Sequence, residues 1–345
     1  MKLSGKVKGI SPSPTLAVDT NAKQMKKEGH DIIGFGAGEP DFDTPDYVKA
    51  AASRAMEEGF TKYTAVAGIP ELKDAISKYL KECGLDYNAN QIIVNNGAKH
   101  SLFNVLYSIL DPGDKVLIPS PYWVTYPELV KICGGIPVFI PTRESEDFRL
   151  KADAIESLID KDTKAIIVNS PNNPTGALYS KEDLEEIAKI AQAYDLIIIS
   201  DEIYEKFIYN GQHHISISTI SQDAYERTIV VNGLSKTFAM TGWRIGYTAG
   251  PEPLIKAMNS LQSHTTSNAN SIAQKAGAEA LLNISERDKF IATMVSEFNK
   301  RREYMVNRIN NMPYLSCINP KGAFYVFMNI TQTFGQQIDG NVIKD

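Results

Sequence analysis

Asp201 and Lys236 are the two residues whose types and positions point most directly to chemistry. Each follows a short run of apolar, β-branched residues, at 197–199 for Asp201 and at 229–231 for Lys236. A carboxylate at the end of a buried strand loses its water and then favours a cationic partner, such as a protonated ring nitrogen of a cofactor. A lysine inside a cleft also loses water, which lowers the pKa of its amine and makes it nucleophilic. Considered alone, Asp201 is also explained as a helix N-cap or half of a salt bridge, and Lys236 as a solvated lysine.

Three further residues suit a phosphate group or a planar ring. Gly97 separates a predicted strand at 92–94 from a predicted helix, and a helix N-terminus binds phosphate through its free N–H groups. Arg244 carries a guanidinium that can bind phosphate in a bidentate manner. Trp123 offers an indole that can lie flat against a ring. Gly97 is also explained as an ordinary strand-to-helix turn, and Trp123 as a packing residue.

An alternation of strands and helices must position these residues. The predicted strands cover 92–94, 115–118, 136–140, 164–168, 196–199 and 228–231, and predicted helices cover 98–110, 123–133 and 181–194. Strands that alternate with helices of this length indicate βαβ units, and continuous Val/Ile runs indicate a parallel sheet covered on both faces. Ligands of such sheets bind beyond the carboxyl ends of the strands. The sequence therefore predicts the functional site at those ends.

Composition excludes several classes of protein. The chain has 345 residues, 43% of them apolar, and a net charge of −5, which argues against a basic nucleic-acid footprint. No apolar run reaches the about 18 residues that a membrane span needs. We also find no apolar signal-peptide core, so we expect a soluble cytoplasmic protein. The scattered cysteines, Cys83, Cys133 and Cys317, favour idle thiols over a disulfide framework or a zinc site.

Four stretches of sequence carry a family resemblance. They are AGEPDFDTP at 37–45, SPNNPTG at 170–176, SDEIY at 200–204 and SKTFAMTGWR at 235–244. In this order they resemble the fold-type-I pyridoxal-phosphate enzymes, and within them the class I aminotransferases of the aspartate/prephenate subgroup. The resemblance covers nearly all of residues 10–330.

The resemblance implies an α/β fold with two domains. The large domain is expected to hold a mostly parallel seven-stranded sheet flanked by helices, and the smaller domain to be α+β. We expect residues 1–45 to form an N-terminal arm and part of the small domain, and 46–285 to form the large cofactor domain. Residues 286–345 are expected to form an interdomain helix and the rest of the small domain, with a turn that leads into a strand at 320–327.

The resemblance also implies roles around the ring of pyridoxal 5′-phosphate. The lysine matching Lys236 holds the cofactor as a Schiff base and then serves as the general base for the substrate Cα proton. The carboxylate matching Asp201 keeps the pyridine nitrogen protonated. Tyr204 and Asn173 match the groups that hydrogen-bond the 3′ oxygen, and Trp123 matches the stacking aromatic residue.

The phosphate group is expected to be held by residues from two subunits. Gly97 and Ala98 match its backbone cradle, while Ser235 and Arg244 match its side-chain donors. Tyr63 matches a tyrosine that reaches the phosphate of the neighbouring subunit. The resemblance therefore implies a homodimer with shared active sites.

Substrate selection is implied by a third set of residues. The set is Gly38, Lys99, Trp123, Asn173, Thr15 and Ser13. Gly38 matches a backbone contact to the substrate carboxylate, and Lys99 matches a residue that pairs with the distal carboxylate of dicarboxylic substrates. These residues favour aspartate, glutamate or prephenate/arogenate as substrates, with a 2-oxo acid as the amino acceptor. Lys99 is also explained as a solvated lysine in the first turn of a helix.

The sequence departs from the family pattern near its C-terminal end. The family continues further, with an arginine that grips the substrate α-carboxylate through a bidentate pair. The last arginine here is Arg308, and no residue matches that anchor. We therefore expect the C-terminal part of the small domain to be incomplete in this sequence.

Two other functions share the same fold. One is a carbon–sulfur lyase or another elimination enzyme, because the fold does not fix the reaction. The other is a non-catalytic, aminotransferase-like sensing domain, for which residues 1–30 are too short to supply a winged helix-turn-helix. A nicotinamide-binding fold is not supported, because no G-x-G-x-x-G motif follows a strand. We predict no metal site, no nucleic-acid partner and no membrane partner.

Overall fold

The computed structural model describes residues 1–12, 14–36, 38–338 and 340–344, and in these ranges its largest sheet has seven strands. The strands are β1 (Ile92–Asn95), β2 (Lys115–Ser120), β3 (Ile136–Pro141), β4 (Thr163–Asn169), β5 (Ile197–Asp201), β6 (Thr228–Gly233) and β7 (Gly246–Ala249). Across the sheet they lie in the order β1-β7-β6-β5-β4-β2-β3. Strand β7 runs antiparallel to both of its neighbours, and the other pairs are parallel. The predicted mostly parallel α/β fold is confirmed.

Helices cover both faces of the sheet. The helices of the described residues are α1 (Gly5–Lys8), α2 (Pro14–Lys27), α3 (Asp46–Glu57), α4 (Pro70–Glu82), α5 (Ala98–Ile109), α6 (Thr125–Ile132), α7 (Ala152–Glu156), α8 (Lys181–Ala193), α9 (Gln222–Arg227), α10 (Leu234–Thr237), α11 (Glu252–Thr265), α12 (Ser271–Leu282) and α13 (Ile284–Asn310), of which α2 buries no residue. A short hairpin of β8 (Gln337–Ile338) and β9 (Asn341–Val342) follows. The predicted helices at 98–110, 123–133 and 181–194 correspond to α5, α6 and α8.

The central strands are apolar on both faces because each face carries its own hydrophobic core. In β4, Ile166 and Val168 pack in one core with Leu184 of α8. Between them in sequence, Ile167 packs in the opposite core with Leu102 of α5. Successive side chains of a strand point to opposite faces, and burying each such side chain stabilises the fold by about 1.5–3 kcal/mol. The Val/Ile runs are therefore needed to bury both sides of the sheet.

Helix α8 begins where the sequence supplies a capping box. The Ser180 hydroxyl accepts a hydrogen bond from the Asp183 N–H at 3.2 Å, and the Asp183 carboxylate accepts one from the Ser180 N–H at 2.9 Å. This reciprocal pair satisfies two N–H groups that a helix start leaves open. Arg149 forms a salt bridge to the same carboxylate.

Of the turn and strand predicted at 320–327, the turn forms at 323–324 and the strand does not form. The segment contains one isolated bridge, between Gly322 and Ile208. A strand needs consecutive ladder hydrogen bonds to a neighbour, but after the bond from the Ala323 N–H to the Phe207 carbonyl at 2.8 Å, Ala323 turns the chain away with a φ of 56°. The aromatic side chains of the segment hold it instead, with the Phe324 ring stacked on another ring at a centroid distance of 4.9 Å.

In the described ranges, no helix combines the length and the apolar character needed to cross a membrane. The same residues contain no cluster of three or more His, Cys, Asp or Glu side chains that could hold a metal ion. The proposed domain limits at 45 and 285 stay a prediction.

Candidate active site

A cleft of about 510 Å3 opens at the carboxyl ends of the strands, where the sequence predicted the site. The predicted residues that line it are Thr15, Gly38, Ala98, Lys99, Trp123, Asn173, Asp201, Tyr204, Ser235, Lys236 and Arg244. Gly97 immediately precedes this lining at Ala98. Residues from the ends of β1, β2, β4, β5 and β6 therefore meet in one place, as expected for an open parallel sheet.

Two predicted residues are placed elsewhere or not described. Tyr63 does not line this cleft, and its side chain is 89% exposed in the loop between α3 and α4. Ser13 lies outside the described residues. Among the described residues that line the cleft, Arg244 is the only arginine.

Lys236 enters the cleft from α10, directly after β6. Its Nζ donates a hydrogen bond to the carbonyl oxygen of Gly38 at 2.6 Å. Burial lowers the pKa of Lys236 to about 8, although the charge of Glu39 acts in the opposite direction. A neutral fraction of this amine is therefore present near neutral pH, which suits a nucleophile or a general base.

Asp201 ends β5 and is almost completely buried, at 2% exposure. Its carboxylate accepts hydrogen bonds from the Tyr126 hydroxyl at 2.7 Å and from the Ile203 N–H at 3.3 Å. Burial raises the pKa of Asp201 to about 6, and the Tyr126 hydrogen bond opposes that rise. No cationic side chain in the described part of the chain forms an ion pair with it, so the salt-bridge alternative is not supported there.

Tyr126 was not found from the sequence. It lies on α6, three residues after Trp123, and the two rings meet edge to face at a centroid distance of 5.4 Å. In the helix predicted at 123–133, Trp123 and Tyr126 are spaced to share one face. That spacing was the signal in the sequence, although α6 begins only after Trp123.

A second buried carboxylate lies beside Asp201. Glu202 accepts a hydrogen bond from the Ser200 hydroxyl at 2.8 Å and pairs with the His214 ring at 3.0 Å. Burial alone would raise the pKa of Glu202, but the charge of His214 and the hydrogen bonds from His214, Ser216 and Ser200 together outweigh it, and the pKa is lowered. His214 thus compensates the like charge next to Asp201.

Two phenols and an amide are grouped in the lining of the cleft. The Tyr204 and Tyr325 hydroxyls are 2.6 Å apart. The Asn173 side-chain amide donates to the same two hydroxyls at 3.5 and 3.4 Å. The Asn169 side chain fixes the Asn173 backbone N–H at 2.8 Å. Burial raises the pKa of Tyr204 well above its ordinary value and that of Tyr325 to about 12, so both phenols are neutral at pH 7.

Tyr325 was not predicted from the sequence either. It comes from the segment that was predicted as a strand, and its contact with Tyr204 joins residues 121 positions apart. Its place in the site depends on that long-range packing rather than on a local pattern.

A positively polarised corner lies at the start of α5. Gly97 has a φ of 85°, and a Cβ at this position would collide with the Arg244 guanidinium. Arg244, itself left-handed with a φ of 56°, donates to the Thr241 carbonyl at 2.8 Å and to the Asn96 carbonyl at 3.4 Å. The guanidinium therefore lies against the N-terminus of a twelve-residue helix. Both groups attract anions.

Lys99 is exposed at the rim of the cleft, and its Nζ is 4.9 Å from the centroid of the Trp123 ring. Loss of water lowers the pKa of Lys99, and the nearby charge of Arg244 lowers it further. The cation is thus held above an aromatic face at the cleft mouth.

Fold and site together define a class of α/β enzyme whose chemistry centres on a partly buried lysine amine facing a buried carboxylate. Residues 30–339 match the model of the family described as aminotransferase class I and II. The chain belongs to this family, whose members depend on pyridoxal 5′-phosphate.

Named relatives agree with this assignment. The chain is 46% identical over 330 residues to the aspartate aminotransferase of Geobacillus stearothermophilus, covering 95% of this chain and 83% of that protein. It is 46% identical over 338 residues to the aspartate/prephenate aminotransferase of Nitrosomonas europaea, covering 97% and 84%. Among solved structures, the aspartate aminotransferase of Thermus thermophilus with maleate superimposes with a TM-score of 0.91 at 45% identity, covering 95% and 85%.

Proposed function

We propose that this protein is a pyridoxal-phosphate-dependent aminotransferase that moves an amino group between a dicarboxylic amino acid and a 2-oxo acid. Aspartate and glutamate are the proposed donors, and prephenate is one proposed acceptor. The observation that carries the proposal is the Lys236 amine in the same cleft as the buried Asp201 carboxylate. The relatives named as aspartate and aspartate/prephenate aminotransferases support the choice of substrates.

The donor set of the cleft fits the cofactor. A buried carboxylate with a raised pKa is stabilised by a cationic ring nitrogen, and Asp201 is such a group. The corner formed by Gly97 and Arg244 fits a phosphate, because it combines a guanidinium with the N-terminus of α5, and a side chain at Gly97 would displace that guanidinium. When bound, the cofactor supplies an aldehyde that receives the amino group and a ring that accepts electron density.

The residues around the ring are proposed to bind and orient it. Asp201, held by Tyr126, keeps a proton on the ring nitrogen. Tyr204 and Asn173 orient the 3′ oxygen through the hydrogen bonds that they now share with Tyr325. The proposed holders of the phosphate are Gly97, Ala98, Ser235 and Arg244, and Trp123 stacks on the ring.

Lys236 is proposed to carry both covalent attachment and proton transfer. With the cofactor bound, the Lys236 amine would be the group that holds the aldehyde. Once free of it, the same amine would accept the proton from the substrate Cα. The Gly38 carbonyl holds this amine at 2.6 Å in the cleft, and its lowered pKa keeps part of it neutral.

The substrate is proposed to lie between the cofactor and the mouth of the cleft. Lys99 binds the distal carboxylate, and Gly38 contacts the α-carboxylate through its backbone. Thr15 and Ser13, together with Trp123 and Asn173, complete this set. We further propose a homodimer, in which Tyr63 of each subunit reaches the phosphate in the other.

The experiment that tests this function is a half-reaction on the purified protein. The protein should be yellow with cofactor, and aspartate should bleach this absorbance while oxaloacetate is released. Glutamate should do the same with release of 2-oxoglutarate. Faster release of pyruvate from cysteine conjugates than of oxaloacetate from aspartate would instead establish an elimination enzyme. No spectral change with any amino acid would point to a sensing domain.

Replacing Lys99 by glutamine is expected to lower kcat/KM for aspartate by about ten- to a hundredfold, because one charge-assisted hydrogen bond to the distal carboxylate is lost. The same value for a monocarboxylic amino acid should change by less than about threefold, since that substrate offers no second carboxylate to pair. Lys99→Arg keeps the charge and serves as the control. Equal losses with both substrates would exclude Lys99 as the specificity residue.

A further inference from the structure

Two fully buried glutamines form hydrogen bonds to the loop that carries Tyr63. Gln262 of α11 and Gln274 of α12 are both 0% exposed. Both direct their side-chain amides at the loop between α3 and α4, on which Tyr63 is 89% exposed. A buried amide needs its hydrogen-bond partners, so these contacts fix the base of the loop strongly.

Gln274 holds the loop on the C-terminal side of Tyr63. Its Nε2 donates to the Thr64 hydroxyl at 3.1 Å and to the Ala269 carbonyl at 2.8 Å. Its Oε1 accepts from the Ile69 N–H at 2.8 Å. The residue next to Tyr63 and the residue before α4 are therefore tied to one side chain.

Gln262 forms hydrogen bonds to the same loop and also to β1 and α5. Its Nε2 donates to the carbonyls of Val66 at 2.9 Å and Val94 at 3.0 Å. Its Oε1 accepts from the amides of Asn95 at 2.7 Å and Asn104 at 3.1 Å. Asn95 ends β1, two residues before Gly97, and Asn104 lies on α5. Gln262 thus supports the Tyr63 loop together with the phosphate corner of its own chain.

We infer that Gln274 is a positioning residue for the cofactor site of the partner subunit, and that it acts through Tyr63 of its own chain. The inference rests on the proposed function, in which Tyr63 crosses to the partner's phosphate. Ordering a loop residue costs about 1–2 kcal/mol in backbone entropy. With Gln274 in place, the loop is ordered before the cofactor binds. Without Gln274, the entropy cost of ordering the loop would weaken the binding of the cofactor.

The first test is a double-mutant cycle on the affinity for pyridoxal 5′-phosphate, measured by fluorescence titration of the cofactor-free dimer. Tyr63→Phe should weaken binding by about ten- to a hundredfold, and Gln274→Leu by about tenfold. The double variant should be no more than about twofold weaker than Tyr63→Phe alone, because both changes remove one interaction. Fully additive losses would overturn the inference.

The second test separates the two subunits. In a hybrid of a Lys236→Ala subunit with a Gln274→Leu subunit, the remaining lysine site receives Tyr63 from the subunit that keeps Gln274. Its affinity should be close to that of the wild type. When Lys236→Ala and Gln274→Leu are combined in one subunit and paired with a wild-type subunit, the lysine site should bind about tenfold more weakly. In both hybrids the occupancy of the lysine site is measured by borohydride reduction, which links the cofactor covalently to Lys236. The opposite order would overturn the inference.

Two further variants control for folding. Thr64→Val removes one acceptor of Gln274 at lower structural cost, and replaces Gln274→Leu in both tests if that variant does not fold. Ser77→Ala removes a hydrogen bond of 2.6 Å to the Tyr87 carbonyl, away from the loop, and should leave the cofactor affinity unchanged. If the wild-type protein binds no cofactor, or Tyr63→Phe binds as the wild type does, the proposed function fails. If both behave as expected and only the Gln274 results differ, the inference alone fails.

Discussion

Replacing Lys236 by alanine is expected to lower the rate of transamination by at least about ten-thousandfold, because one amine supplies both the attachment point and the base. The protein should still fold, since the Lys236 side chain lines a cleft and its hydrogen bond among the described residues goes to the Gly38 carbonyl. The measurement is the single-turnover rate with aspartate, followed by absorbance. Borohydride treatment should fix no cofactor in the variant.

Lys206 provides the matched control for that experiment. It is also a partly buried lysine, placed outside the cleft with its Nζ 4.7 Å from the Tyr79 ring centroid. Lys206→Met should keep the rate within about tenfold of the wild type, because a change outside the site acts only through stability and packing. A Lys236→Ala protein with an undiminished single-turnover rate would contradict the proposed mechanism.

Replacing Asp201 by asparagine is expected to lower kcat by about a hundred- to a thousandfold. Asparagine keeps the shape of the side chain but not its charge, and an uncompensated cation in a buried site costs about 3–5 kcal/mol. The proposed proton on the ring nitrogen is then no longer held. Tyr126→Phe removes a hydrogen bond of 2.7 Å but leaves the charge, so its loss should be smaller. Similar kcat values for Asp201→Asn and the wild type would contradict the role of this carboxylate.

The same substitution has an expected signature in the cofactor-free protein. The pKa of Asp201 is raised from 3.8 to about 6, so the folded state binds a proton more tightly than the unfolded state. The contribution of Asp201 to the free energy of unfolding should therefore fall as pH rises from about 4 to about 6, by up to about 3 kcal/mol. Urea unfolding across this range should show the slope in the wild type and its absence in Asp201→Asn.

The strands at the centre of the sheet were predictable because they are buried on both faces. Their Val/Ile runs are long enough to be recognised, and five polar strand ends marked the cleft. Strand β7 was not located from the sequence, since its four residues begin with glycine and contain no apolar run. At 320–327 the turn was predicted correctly but the strand after it was not, because the left-handed Ala323 ends the pairing with Ile208 after one bridge.

The cleft positions of Asp201 and Lys236 were predictable because a charged residue is rare at the end of a buried strand. Tyr126 and Tyr325 were not, because a tyrosine is common in cores and gives no local signal. Gln262 and Gln274 give even less local signal, because a glutamine inside an amphipathic helix resembles a surface residue until its burial is known. Long-range packing, which the pattern of one sequence does not encode locally, decides the position of all four.

The reversed direction of β7 has a consequence for how the cleft is closed. Because β7 runs against β1 and β6, its first residue, Gly246, lies opposite Asn95 and Gly233, the last residues of those strands. The chain therefore enters β7 from the rim of the cleft and delivers Arg244 there. Had β7 been parallel, this entry would lie at the far edge of the sheet, about 10 Å away for a strand of four residues. One inverted strand thus supplies a wall that a uniformly parallel arrangement would leave open.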